Sequence, residues 1–216
     1  MRSIGVNELT YIVLALRWTL LLSFLALAGG AAFGALLTGL GLSRHVFVRR
    51  GQTLFVQFVQ GTPLLILLLI AYFGLSAVGL EIGALLSSAL ALTLYAGSYF
   101  STIWLAAIRA VPPGQWEGAS ALGLTRALRM RLVILPQALR IALAPSCGFV
   151  VQIIKNTSLA SIVGFIELTR AGQIVSNATF QPLLAFGTVA AAYFVMCLPF
   201  TLLSEWLEQR QAARSH

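Results

Sequence analysis

Charge is what this sequence has least of. Only 9% of its 216 residues are Asp, Glu, Lys or Arg, against roughly 25% in an average soluble chain. A soluble monomer with so few charges could not cover its own apolar surface, which excludes a soluble enzyme. A disordered or fibrous chain is excluded too, since 59% of residues are hydrophobic and mean hydropathy is +0.91. Cysteine is scarce. Cys147 and Cys197 lie in apolar stretches without CxxC spacing and read as packed thiols. The two histidines, His45 and His216, are far apart and fit no ligand pattern. Neither a metal site nor a histidine-based catalytic site is expected.

What is present is long uncharged runs. A bilayer core of about 30 Å takes about 20 helical residues. Five runs fit, giving expected spans at 12–38, 55–75, 84–107, 141–166 and 182–204. The second begins with a polar stretch (Gln52, Gln57, Gln60), and the fourth is interrupted by Lys155-Asn156-Thr157-Ser158. The first is too long for a signal-peptide core and could serve as an uncleaved anchor. Its recurring glycines, Gly29, Gly30, Gly34, Gly39 and Gly41, mark close helix packing.

The 14 bases outnumber the 6 acids, a formal charge of +8. In a soluble protein this would suggest nucleic acid. Here most bases flank apolar runs, so they read as orientation signals at a lipid membrane, with no nucleic acid expected. Arg44, Arg49, Arg50, Arg109, Arg126, Arg129, Arg131, Arg140, Arg210 and Arg214 fall on one side of five alternating spans. Arg2, Arg17 and Arg170 fall on the other, offset by Glu8, Glu81 and Glu167. The expectation is an all-α multi-pass protein of the cytoplasmic membrane, N-terminus outside and C-terminus in the cytoplasm.

The segment 111–140 carries the strongest pattern. Pro112, Pro113 and Gly114 stop the third span. A short helix is predicted over 115–122, with Gly123 suited to the left-handed position past its end. Thr125 can N-cap a second short helix running to about Leu135, where Pro136 breaks it. Gly118, Ala119, Ser120 and Ala121 leave a smooth face for a partner, and Glu117 offers an acceptor on it.

Glu117, Ala119, Gly123, Ile134, Leu135 and Pro136 together resemble the "EAA" loop of binding-protein-dependent ABC importer permeases, with Gly118 in place of the first alanine. Further stretches are similar to the polar amino-acid branch, the histidine/glutamine/glutamate permease group. They include Gln60-Gly61-Thr62-Pro63-Leu64-Leu65, where Gln60 stands for the usual arginine, and Lys155-Asn156-Thr157-Ser158. So do Ile134-Leu135-Pro136-Gln137 and Glu167-Leu168-Thr169-Arg170. The resemblance runs from about Leu14 to Leu207, and the transmembrane domain is set at 12–208.

The resemblance implies a type I ABC importer transmembrane domain, half of a translocation pore. It implies two ABC ATPase subunits below, a second permease copy or a sibling beside, and an extracytoplasmic substrate-binding protein above. Glu117, Gly118, Ala119, Ser120, Leu122 and Gly123 would meet the ATPase. The sequence has no GxxxxGK[ST] loop, so ATP and Mg are expected on that partner and no cofactor on this chain. Lys155, Asn156, Thr157, Ser158, Thr62 and Thr102 are the candidates for the substrate path.

A Lys-Asn-Thr-Ser run inside an apolar segment is costly against lipid. It must face a water-filled path, or serve helix–helix hydrogen bonds with Lys155 snorkelling to the membrane edge. Two departures from the family stand out. Asn156 replaces an Asp found in some relatives, and an amide cannot neutralise a cationic substrate. Thr102 and Leu105 replace an acidic residue and an arginine, which reads as a buried pair removed whole. Other functions were weighed: a permease for an opine or sulfur amino acid, a membrane enzyme, and a non-ABC channel or carrier. The enzyme lacks acidic residues in the spans, and five spans cannot form two equal inverted repeats.

Overall fold

The computed structural model describes residues 4–212. Arg2, Arg214 and His216, which entered the charge and ligand arguments above, lie outside them. The elements are α1 (Val6–Gly41), α2 (Val46–Gly61), α3 (Leu64–Ala77), α4 (Ala84–Arg109), α5 (Pro113–Ala121), α6 (Arg126–Val163), α7 (Leu168–Thr179) and α8 (Pro182–Ala212). Helices α1, α4, α6 and α8 are each long and apolar enough to cross a membrane. Helices α2 and α3 form a pair bent by 101°. The five expected crossings are therefore four continuous helices and one bent pair.

Three of the expected spans fall on helices with different bounds. Helix α1 has 36 residues, about 54 Å at 1.5 Å per residue, so 12–38 covers only its middle and Arg17 stands inside it, over the Trp18 ring. The range 55–75 is not one helix. Pro63 lacks an N–H and holds Thr62 extended (φ −96°, ψ 130°), while the Thr62 hydroxyl donates to the Phe58 carbonyl at 2.8 Å. The fourth span begins at Arg126, well before 141, because Pro136 does not break it. A π-turn over Met130–Ile134 precedes the proline. This turn leaves room for the ring, and the Gln137 amide donates to the Val133 carbonyl at 2.8 Å.

Packing explains the glycines of α1. A Cβ on Gly30 would meet the Ala96 Cβ at 2.5 Å, and one on Gly34 the Gly97 carbonyl oxygen at 3.1 Å. These two positions, one turn apart, let α1 and α4 touch backbone to backbone. Around that seam lies a core of Leu22, Ala26, Leu64, Leu68, Leu92, Phe100 and Ile153, drawn from α1, α3, α4 and α6.

Helix α2 is tied to α4 by polar contacts. The Gln52 amide donates to the Ser101 hydroxyl at 3.3 Å. The Gln60 amide donates to the Ser98 carbonyl at 3.2 Å and to the Thr102 hydroxyl at 3.0 Å. Each such bond contributes on the order of 1 kcal/mol.

A buried carboxylate anchors the far end of the bundle. Glu167 is fully buried and N-caps α7, accepting from the Thr169 and Arg170 backbone N–H groups at 2.8 Å each. The Tyr193 hydroxyl of α8 donates to it at 2.8 Å. The neighbouring Leu168 N–H donates to the Thr19 hydroxyl of α1 at 3.0 Å. Burial pushes the Glu167 carboxyl above its ordinary range, against these hydrogen bonds, which pull it down. Beyond offsetting charge, Glu167 is thus a structural node joining α1, α7 and α8.

Candidate functional site

The first candidate surface is the hairpin of α5 with the start of α6. Pro113 fits the first helical position, where its missing N–H costs nothing. Gly123 has φ +71°. Its N–H donates to the Ser120 carbonyl at 2.9 Å and the Leu124 N–H to the Ala119 carbonyl at 3.2 Å, the paired bonds of a Schellman ending. Thr125 then caps the next turn, its hydroxyl accepting from the Leu128 N–H at 3.4 Å.

The hairpin is fastened to the bundle at three points. The Arg129 guanidinium donates to the Ser120 hydroxyl, which itself donates to the Trp116 carbonyl at 2.7 Å. The Gln137 amide donates to the Gln115 side-chain oxygen at 3.1 Å. The Arg126 guanidinium donates to the Leu42 carbonyl at the end of α1, at 2.6 Å. Beneath lies an apolar plate of Ala107, Ile108, Val111, Ile134, Ala138 and Ala142, against which Trp116 packs. Ala119 is buried and does not reach the outer surface. Glu117, Gly118, Ser120, Leu122 and Gly123 are exposed, and Leu122 is 80% exposed. A small rim with one acid and one projecting leucine therefore stands on a rigid mount. Arg126, Arg129 and Gln137 were not singled out as mounts from sequence. Their partners lie up to 84 residues away, and no local pattern announces such contacts.

The second candidate is the polar run of α6. Here the helix tightens from α to 3-10 at Thr157. Lys155 and Ser158 line a cavity of about 690 Å³ between α6 and α8, with Thr169, Tyr193 and Cys197. The Ser158 hydroxyl donates to the Lys155 carbonyl at 2.7 Å. Thr157 is fully buried: its hydroxyl donates to the Ile154 carbonyl at 2.7 Å and lies beside the Tyr193 hydroxyl. Asn156 is half-buried, accepts from the Gln152 amide at 3.4 Å, and lies beside the Tyr95 hydroxyl.

Thr62 and Thr102 sit elsewhere, at the α2–α4 contact. One stripe of α4 joins the two places. Tyr95, Ser98, Tyr99 and Thr102 fall at spacings of three, four and seven, on one helix face. Its one end meets Asn156 and its other end meets Gln60. Leu105, by contrast, packs against Gly41, whose added Cβ would meet it at 2.7 Å. The missing charges of α4 are thus not replaced by one local pair; Thr102 finds its partner on α2.

Four membrane-length helices, a bent pair and a mounted hairpin define an α-helical membrane protein. Residues 30–213 match the family model for binding-protein-dependent transport system inner membrane components, and the chain belongs to that family. It is 31% identical over 209 residues to the probable amino-acid ABC transporter permease protein YckA of Bacillus subtilis (strain 168), covering 97% of this chain and 92% of that protein. It is 32% identical to the glutamine transport system permease protein GlnP of Escherichia coli (strain K12), covering 90% of each. A crystal structure of an amino acid ABC transporter with histidines superposes with a TM-score of 0.90 at 32% identity, covering 97% of this chain and all of that one. The chain is a permease subunit of an ABC transporter. Such subunits are non-catalytic, and ATP is hydrolysed by separate subunits.

Proposed function

We propose that this chain is the pore-forming half of an ATP-driven importer of polar amino acids. It pairs with a second copy or a sibling, sits on two ATPase subunits, and receives substrate from an extracytoplasmic binding protein. The observation that carries this reading is the α5 hairpin. Its rim of Glu117, Gly118, Ser120, Leu122 and Gly123 is exposed, while its underside is bonded to α1 and α6. A push on that rim moves α5 as a lever, because three polar fasteners and an apolar plate leave little slack.

The substrate path, in this reading, follows the α4 stripe between Thr102 and Asn156 and includes Ser158 and Lys155. Thr62 bounds it at the bend of α2, and Thr157 acts from behind by fixing the helix transition. The amide and hydroxyls can pair with the carboxylate and ammonium of a zwitterion. Lys155, the chain's sole lysine, adds one positive charge. With no acid beside it in the cavity lining, the path suits neutral polar amino acids over cationic ones.

The test is co-purification with the partner ATPase, followed by uptake of labelled glutamine, histidine and arginine in proteoliposomes. Loss of ATPase association, or uptake independent of ATP, would overturn the assignment.

A further inference from the structure

Near the α5 hairpin, a second cavity of about 720 Å³ opens between α1, α4 and α6. Its walls include Ala35, Gly39 and Leu42 of α1, Ile108 of α4, and Met130 and Leu139 of α6. The polar groups in the wall are already satisfied. The Thr38 hydroxyl donates to the Gly34 carbonyl at 2.7 Å, and the Trp104 indole N–H to the Ser146 hydroxyl at 3.2 Å. Nothing in the groove asks for a polar ligand, so its body suits a hydrocarbon chain.

The mouth differs from the body. The Arg126 guanidinium bonds the Leu42 carbonyl at 2.6 Å and so stands at the groove's end. That bond uses one of five guanidinium N–H donors. Arg44 follows groove-lining Leu42 by two residues, Arg131 follows groove-lining Met130 directly, and all three arginines are exposed. The six acidic residues of the chain lie on other elements, except Glu8 at the opposite end of α1. An apolar slot with Arg126 at its end and two further exposed arginines within two residues of its lining is complementary to an amphiphile with an anionic head. A second copy of this chain docking groove to groove would instead set arginine against arginine.

We propose that this groove binds an anionic diacyl phospholipid, with one acyl chain between α1, α4 and α6 and the phosphate on Arg126, Arg131 and Arg44. The site goes beyond the transport reading. It also bears on it, since Met130 of the groove wall opens the π-turn that mounts the α5 hairpin and Leu135 directly follows it. A seated lipid would stiffen that mount.

The experiment is native mass spectrometry of the intact permease–ATPase complex, titrated with phosphatidylglycerol or phosphatidylcholine. Wild type should retain phosphatidylglycerol at least fivefold more than phosphatidylcholine. Gly39→Phe fills the groove from a position whose Cβ meets nothing within 4 Å, and should cut retention of both lipids at least fivefold. Arg126→Gln with Arg131→Gln should abolish the preference between headgroups while leaving phosphatidylcholine retention in place. Equal retention of the two lipids by wild type, or no effect of Gly39→Phe, would overturn the proposal. So would disulfide cross-linking of Gly39→Cys to a second copy, which would make the groove a permease–permease interface. ATPase co-purification is read in the same spectra. Its loss in wild type would count against the transport reading, and its retention without lipid preference against this one alone.

Discussion

The Gln60 amide nitrogen donates to the Thr102 hydroxyl at 3.0 Å, across the contact between α2 and α4. Each residue departs from the permease group it resembles, Gln60 from an arginine and Thr102 from an acid. The two departures meet in space, as one neutral hydrogen bond. A neutral pair avoids the desolvation cost that a buried ion pair carries. Gln60→Arg alone should leave a charge without its partner and lower the melting temperature of the purified complex. Thr102→Glu alone should do the same. The double variant should recover stability, with a coupling of about 0.5–3 kcal/mol in a double-mutant cycle. Additive losses would mean the two positions do not communicate.

At the α5 rim, Gly118 has open space where a Cβ would be. Gly118→Ala restores the family's alanine and should stabilise the helix by about 0.5–1 kcal/mol without loss of coupling. Gly123 is different, because its φ of +71° strains any residue with a side chain. Gly123→Val should misdirect Leu124 and Thr125 and uncouple ATP hydrolysis from uptake. Glu117→Lys should uncouple by reversing charge on the rim. ATPase activity with and without loaded binding protein, compared with uptake, checks all three. Tight coupling in Gly123→Val would remove the rim from the interface.

The sequence disclosed much of this architecture for definite reasons. Charge-free runs revealed the long helices, since water and lipid sort residues before packing does. Gly123 and Thr125 were legible because turn and cap chemistry is local. Pro63 and Pro136 look alike in sequence yet act oppositely. Pro63 breaks a helix between Thr62 and Leu64, whereas Pro136 is absorbed by a preceding π-turn, beside which the Gln137 amide bonds the Val133 carbonyl. That outcome depends on the apolar plate holding the turn in place, which no local pattern records. The bonding of Glu167 was hidden for a similar reason, because Tyr193 comes from a distant helix.

The Glu167 node gives a direct test. Glu167→Ala removes the acceptor of two backbone N–H groups and of the Tyr193 hydroxyl. It should destabilise the complex by more than the roughly 1 kcal/mol of an ordinary lost cap, because the Tyr193 bond between α7 and α8 is lost with it and only the longer 3.3 Å contact to the Thr169 hydroxyl remains. Tyr193→Phe should cost less, since both backbone bonds remain. Thermal unfolding in one detergent ranks the two. Equal losses would place the node's strength in the tyrosine contact.

Membrane orientation is checked by accessibility. With the N-terminus outside and α5 in the cytoplasm, a cysteine at Ser43 should be shielded from an impermeant thiol reagent added to cells. A cysteine at Leu80, which is 57% exposed and lies between α3 and α4, should react. The reverse pattern would invert the assignment and place the ATPase on the wrong side.

The polar run of α6 offers the sharpest functional test, because its members face different ways. Thr157 is buried and bonded to the Ile154 carbonyl, so Thr157→Val should lower stability and assembly together. Asn156 is half-buried beside Tyr95, and its bond to Gln152 is long at 3.4 Å. Much of its hydrogen-bonding capacity is left for another partner. Asn156→Leu should therefore lower uptake strongly while the amount of co-purified ATPase per permease stays constant. Asn156→Asp places a carboxylate on the same path, and a nearby anion attracts a cationic side chain. It should raise arginine uptake relative to glutamine in reconstituted complex. Lys155 faces the adjacent cavity, and Lys155→Gln should extend the same trend by removing a repelling charge. Unchanged uptake kinetics in Asn156→Leu would make the run a packing device between helices, and the substrate path would then have to be sought along α2 and Thr102.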